Sequence, residues 1–263
     1  MHTQDCPDIL KKIVATKKLE IAAMTKTISD FKSAIADLPV ALDFKTALSK
    51  PGLSVIAEIK KASPSAGTIA RDFDPEAIAQ AYNSGGADTV SVLTDREYFK
   101  GDIEYIKQVR DIIKVPILRK DFIIDQVQIY EARAYGADTF LLIAAILETE
   151  EMKKLIDLGR DLGMEPLVES HNEAELGKSL ASGATVFGIN NRNLHNFEVD
   201  ISTSEKLYSM IPSNSIAVAE SGIHSPAQAQ QMHKAGFDAV LVGESLMKAG
   251  LQSCGEMITA FKA

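Results

Sequence analysis

Glu58 and Lys60 close an otherwise apolar run, "SVIAEI" followed by "KK". Residues two apart in an extended chain point the same way, so Glu58 and Lys60 share a face and Lys61 takes the other. Four more apolar runs end alike. "VPILRK" ends in Lys120 on the face of Leu118, and "EPLVE" in Glu169 on the face of Leu167. "TVFGIN" ends in Asn190, with Arg192 in the loop beyond, and "SIAVAE" ends in Glu220 on the face of Val218. One charged strand end is ordinary, because a lysine stem there lies along apolar surface with its ammonium in water. The set is not ordinary. Two ammoniums among three carboxylates at one mouth would neutralise each other and carry coupled, displaced pKa values suited to proton transfer. That chemistry is general acid–base catalysis, and it leaves the reaction open.

A second constellation follows the last two apolar runs. "AESGI" and "VGESLM" bring Ser221, Gly222, Gly243, Glu244 and Ser245 to two tight turns. Glycine lets a backbone approach an anion, and free N–H groups at a helix start donate to it, so a phosphate is expected there. The Glu244 carboxylate would repel phosphate and must turn away, leaving backbone N–H groups and the Ser245 hydroxyl. Phe99, Phe122 and Leu194 lie just beyond strand ends, where an apolar side chain either joins the core or lines a pocket for an aromatic ligand. His171, His195, His224 and His233 have no metal-ligand spacing and read as surface or helix-cap residues.

These residues need a scaffold, and the chain supplies a repeated one. Eight short apolar runs, at 54–59, 88–93, 115–120, 138–144, 165–169, 185–190, 215–220 and 238–243, alternate with polar stretches of helical spacing. Asp74-Pro75, Thr149 with Glu150 and Glu151, and Ser225-Pro226 signal helix starts. The runs are too apolar on both faces for a half-solvated sheet and read as parallel strands covered by helices. "GGAD", "YGAD", "SGAT" and "AGFD" recur about every 50 residues, each with a glycine placed to stop a helix in a left-handed turn before the next strand. Eight such units in about 210 residues predict an α/β fold, a (β/α)8 barrel. An open doubly wound sheet is the rival, weakened by the count of eight and by the lack of a GxGxxG turn. The expected organisation is one barrel domain over 1–263, with residues 1–50 a helical N-terminal extension covering the barrel end. That extension is either a packing helix or a lid that adds to the pocket.

Composition narrows the function classes. The 263 residues are 46% hydrophobic and 24% charged, as in an average folded domain. A net charge of −8 disfavours nucleic acid but leaves small anions open, since a few local cations can hold them. Cys6 and Cys254 read as two thiols in a reducing compartment. "MHTQDCPDIL" lacks the apolar segment of a signal peptide, and no run approaches the roughly 20 apolar residues of a spanning helix. A cytoplasmic protein with a small-molecule substrate, without nucleic-acid or membrane partners, and monomeric or weakly homo-oligomeric, is expected.

The motifs "VIAEIKKASPSAG", "ILRKDFIID", "PLVES", "GINNRNL", "VAESGI" and "VLVGESLM" resemble, in order, those of the indole-3-glycerol phosphate synthase family. The likeness runs from about residue 40 to the end, and "EIKKASPSAG" and "RKDFIID" are its specific parts. It implies cyclisation of 1-(2-carboxyphenylamino)-1-deoxyribulose 5-phosphate to indole-3-glycerol phosphate with loss of CO2 and water, using no cofactor and no metal. By that resemblance Lys120 is the general acid on the ketone oxygen. Lys60 pairs with the anthranilate carboxylate and is a candidate donor for dehydration. Glu169 is the base of the later steps, and Glu58 and Asn190 orient these groups. Ser63, Arg192 and Glu220 are further substrate contacts. Phe99, Phe122 and Leu194 pack on the aromatic ring, and the two turns hold the phosphate.

The reaction's own demands agree. Ring closure places negative charge on a carbonyl oxygen, which an aimed ammonium stabilises. The substrate carboxylate needs a cation until it leaves, proton removal needs a base, and loss of hydroxide needs an acid. The alternatives are another phosphosugar barrel enzyme, phosphoribosylanthranilate isomerase-like or a Schiff-base lyase, and a non-catalytic sugar-phosphate-binding barrel. An isomerase needs an acid–base pair but not two lysines with three glutamates.

Overall fold

The computed structural model describes residues 6–70 and 72–263. The first five residues of the stretch read for a leader, and of the helical extension, lie outside the described residues. Eight parallel strands form the closed barrel: β1 Ser54–Ile59, β2 Thr89–Leu93, β3 Ile117–Lys120, β4 Thr139–Ile143, β5 Leu167–Ser170, β6 Val186–Asn190, β7 Ile216–Glu220 and β8 Ala239–Val242. Closure is made by β1, which pairs with β8 on one side and β2 on the other. Nearly every strand residue is buried, because helices cover the outside and side chains fill the inside. The expected (β/α)8 barrel is the observed fold, with helices between successive strands.

The repeated aspartates explain both the repeat and the strand starts. Asp88, Asp138 and Asp238 each donate a backbone N–H to the preceding strand's carbonyl, at Val55, Ile117 and Ala217. Each side chain then accepts the N–H of that same residue, at 3.0, 2.8 and 2.8 Å. The carboxylate thus extends the ladder one step below the regular strand. The turns before them are made by Gly86, Gly136 and Gly236, and Gly183 makes the one before Thr185; all are left-handed as expected, with φ between 74° and 108°.

Asp74 and Ser225 cap their helices as expected, with their side chains accepting from Glu76 and Ala77 and from Gln228. Thr149 does not cap. The helix Thr149–Asp161 is capped by Glu148, whose N–H is held by the Glu151 carboxylate at 3.0 Å, so Thr149 is its first residue. The N-terminal periodicity resolves into α1 Asp8–Ala22 and α2 Ile28–Ala36, broken before a Thr27–Asp30 capping box, then α3 Phe44–Leu48. α1 buries Leu10, Ile13 and Val14. The loop after β1 contains a ribbon of Ala62–Ser63 paired antiparallel with Gly67–Thr68, which the sequence pattern did not announce. Among the described residues, no helix is long and apolar enough to cross a membrane. Cys6 and Cys254 are free and buried.

Candidate active site

The alternate strands β1, β3, β5 and β7 each raise one charged side chain toward the C-terminal mouth: Glu58, Lys120, Glu169 and Glu220. Barrel interiors are filled in layers contributed by alternate strands, and here the top layer is ionic rather than apolar. Lys120 Nζ lies 2.8 Å from Glu169 Oε2 and 3.0 Å from Glu220 Oε2. Lys60, just past β1, lies 2.6 Å from Glu58 Oε1. Two glycines clear the space for this layer. A Cβ on Gly188 of β6 would fall 2.1 Å from Glu220 Oε1, and one on Gly243 would fall 2.3 Å from Glu58 Oε1.

Electrostatics divide the carboxylates. Burial works against the Lys120 cation, but Glu169, Glu220 and Glu58 outweigh it and hold its pKa above the ordinary lysine value. Burial alone would raise Glu169, yet Lys120 and His171 hold its carboxyl well below the usual range. Glu220 goes the other way. Burial, reinforced by the charge of Glu169 against the pull of Lys120, pushes it up to about 8. Its Oε1 is buried and has no hydrogen-bond partner among the described residues, so that oxygen has no donor to hold a negative charge. One ammonium, one carboxylate and one neutral acid therefore share a single point.

One cavity is lined by Glu58, Lys60, Ser63, Phe99, Lys120, Phe122, Glu169, Asn190, Arg192, Leu194, Glu220 and Ser221 through Gly222, and by Gly243, Glu244 and Ser245. It brings every residue assigned to the site from the sequence to one space. The rings of Phe99 and Phe122 stand 5.9 Å apart on its apolar side. Asn190 Oδ1 accepts the Arg192 N–H at 3.0 Å, and the Arg192 guanidinium donates to the Phe197 carbonyl. Ser63 Oγ accepts the Ala66 N–H within the β1 loop. Lys61 is absent from the lining and stands 5.7 Å from the Phe73 ring. Ser221 and Gly222 are successive left-handed residues with φ of 65° and 80°, a conformation a non-glycine residue adopts at a cost. The Glu244 carboxylate is turned onto Lys248, 2.6 Å away. Ser245 Oγ donates to the Ile223 carbonyl and meets His224 Nδ1 at 2.9 Å.

His224 is exposed, as expected, although it also lines the cavity beside Ser245. His171 departs from its reading as a surface or cap residue: its side chain is only 9% exposed and sits between Glu169 and Glu175. Period two carried the missed signal, since 169 and 171 share a face. Leu10 and Ile13 of α1 also line the cavity. No local signal marks Lys17 of α1. It is buried on Glu20 and Asp95 at 2.8 Å each and on Asp121 at 3.0 Å. Arg119 and Thr94 complete that cluster around Asp121 at 3.1 and 2.5 Å. The cluster ties α1 to the residue after Lys120. Among the described residues, no group of three or more His, Cys, Asp or Glu side chains is placed to hold a metal ion.

Comparison with known proteins follows this geometry. The family profile described as "Indole-3-glycerol phosphate synthase" matches residues 10–254. A protein of that name from Chlorobium chlorochromatii is 48% identical over 242 residues, covering 90% of this chain and 94% of its own. Another from Lacticaseibacillus paracasei is 46% identical over 258 residues, covering 97% and 98%. Among solved structures, thiamine phosphate pyrophosphorylase from Pyrococcus furiosus superposes with a TM-score of 0.59 at 15% identity, covering 80% of this chain and 93% of its own. At that identity the likeness concerns the fold alone.

Proposed function

This chain belongs to the indole-3-glycerol phosphate synthase family, and from that premise we propose how its barrel mouth performs the reaction. The chain is a carboxy-lyase of tryptophan biosynthesis acting on a small molecule. It cyclises 1-(2-carboxyphenylamino)-1-deoxyribulose 5-phosphate to indole-3-glycerol phosphate, releasing CO2 and water. The observation that carries the residue assignment is Lys120 held between Glu169 and Glu220 in a cavity whose far wall is the two glycine-containing turns.

The phosphate docks on the backbone of Ser221, Gly222, Gly243, Glu244 and Ser245, where the Glu244 carboxylate is already paired with Lys248. The anthranilate ring lies against Phe99, Phe122 and Leu194, with Leu10 and Ile13 of the N-terminal extension closing the apolar side. Lys60, oriented by Glu58, takes the substrate carboxylate, with Ser63 and Arg192 nearby. The ring carbon bearing that carboxylate attacks the ketone, and Lys120 protonates the oxygen as the bond forms. Carbon dioxide then leaves, and the electron pair of the broken carbon–carboxylate bond stays behind to restore the benzene ring. Glu169 takes a proton from the carbon beside nitrogen while the hydroxyl departs with a proton from Lys60 or Lys120. Glu220, neutral at pH 7 and 3.0 Å from Nζ, can return a proton to Lys120. Asn190 holds the substrate hydroxyls in line.

A Schiff-base role suits Lys120 poorly, because a nucleophilic amine needs a lowered pKa and this one is raised. Borohydride trapping of a protein–substrate adduct would reverse that judgement. The remaining parts of the reading are a cytoplasmic location, one domain with residues 1–50 as an extension over the mouth, and a monomer or weak homo-oligomer, which light scattering after gel filtration tests. The reaction itself is tested by following indole fluorescence when purified protein meets the carboxyphenylamino-deoxyribulose phosphate. Folded protein giving no signal overturns it.

A further inference from the structure

We infer that His171 is a positioning residue for Glu169, holding that carboxylate in place from the side opposite Lys120. The inference rests on the reading of Glu169 as the reaction's base. The strand period sends 169 and 171 to one face, and the barrel sets the ring directly behind the carboxylate. His171 Nε2 lies 3.3 Å from Glu169 Oε1, a charge contact without hydrogen-bond alignment, while Lys120 takes Oε2 at 2.8 Å. The ring cannot swing away. Its Nδ1 lies 2.9 Å from Glu175 Oε2, which also accepts the His171 backbone N–H at 2.9 Å. Glu175 is in turn fixed, for its Oε1 accepts from Asn172 Nδ2 at 2.7 Å, and its own N–H donates to Asn172 Oδ1 at 2.9 Å. Asn172 is the cap of the helix Glu173–Ala181, so the chain Glu175–His171–Glu169–Lys120 is anchored on a helix start.

A ring with a carboxylate on each nitrogen carries both protons. Burial disfavours that cation, but Glu169 and Glu175 outweigh it and raise the His171 pKa to about 10. The other charged groups around it are Lys178 on the same helix, whose ammonium donates to the Ala144 carbonyl, and Arg192, Glu198 and Asp200 of the loop after β6. Asp8 and Lys11 of α1 lie beyond, near Cys6. None of these replaces the imidazolium on Glu169 Oε1. The consequence is chemical. Lys120 surrenders a proton when it acts as an acid, and at that moment Glu169 would lose its counter-cation and become a harder group to keep ionised. His171 takes no part in the transfer, so its charge stays on Oε1 throughout.

The test uses His171→Gln and Glu175→Gln beside the parent and Glu169→Gln, each followed for kcat and KM from pH 5 to 9. His171→Gln is expected to lower kcat at least tenfold with KM within twofold. The acid limb of its kcat profile should move to higher pH, because a carboxylate robbed of a cation holds its proton longer. Glu175→Gln should shift the limb the same way by less. A parent that makes no indole product, or a Glu169→Gln variant with full turnover, would overturn the base reading beneath the inference. A parent that turns over, a dead Glu169→Gln and a His171→Gln with unchanged kcat and acid limb would overturn the inference alone. So would a rise in KM without loss of kcat. Should His171→Gln not fold, the ring is read in the parent by 15N NMR. Two protonated nitrogens at pH 8 are expected, and a neutral ring at pH 7 refutes the inference.

Discussion

Replacing Lys120 with methionine keeps the stem's volume and removes the ammonium that two buried carboxyl groups share. Its Nζ is the only cation within 3.0 Å of both Glu169 and Glu220 among the described residues. Loss of the general acid alone should lower kcat about 10²–10⁴-fold, or roughly 3–5 kcal/mol at about 1.4 kcal/mol per decade. A second effect adds to it. The charge of Lys120 is the leading influence that keeps Glu169 ionised against burial, so its removal raises that carboxyl and disables the base at low pH. The deficit should therefore be larger at pH 6 than at pH 8. The phosphate turns lie on β7 and β8 and do not involve Lys120, so a competing phosphate monoester such as glycerol 3-phosphate should inhibit parent and variant with similar constants. The assay is indole fluorescence, with circular dichroism to show the variant is folded. A folded variant with kcat within tenfold of the parent would refute the assignment of Lys120. A deficit that does not change with pH would refute its control of Glu169.

Other perturbations test the supporting structure. Glu220→Gln should flatten the dependence of melting temperature on pH. A carboxyl raised to about 8 when folded, from about 4.3 unfolded, contributes stability below pH 4 that is lost as pH rises through 8. The variant should lack that decline. Gly188→Ala, whose Cβ would fall 2.1 Å from Glu220 Oε1, should push Glu220 off Lys120 and lower kcat with little change in KM. A variant with parental kcat would show that the carboxylate can yield. Lys17→Met strands Asp95 without its cation and leaves Asp121 with Arg119 alone, and should cost about 3–5 kcal/mol in urea unfolding. A loss under 1 kcal/mol would mean those acids find other partners. Gly177→Ala, in a helix interior with nothing within 4 Å of the new Cβ, should instead stabilise by up to about 1 kcal/mol.

The amino-acid sequence by itself determined what is local. Apolar runs of strand length, glycines where helices must turn left-handed, and charges at alternate positions are set by covalent geometry within a few residues, so the eight strands and the direction of Glu58, Lys120, Glu169 and Glu220 could be read directly. The aspartates at 88, 138 and 238 were visible too, although their bonds to the preceding strands were not. Only the tertiary structure decided which charges meet. Lys120 and Glu220 are 100 residues apart and touch because the sheet closes on itself. Closure also made Glu220 a neutral acid and Glu169 an ionised one, a distinction two identical side chains cannot carry in sequence. It put a glycine from β6 behind Glu220, turned His171 from an apparent cap into the back of Glu169, and buried Lys17 among acids from two other segments. Each of those results depends on distance and desolvation across the barrel, and neither quantity exists until the chain has folded around it.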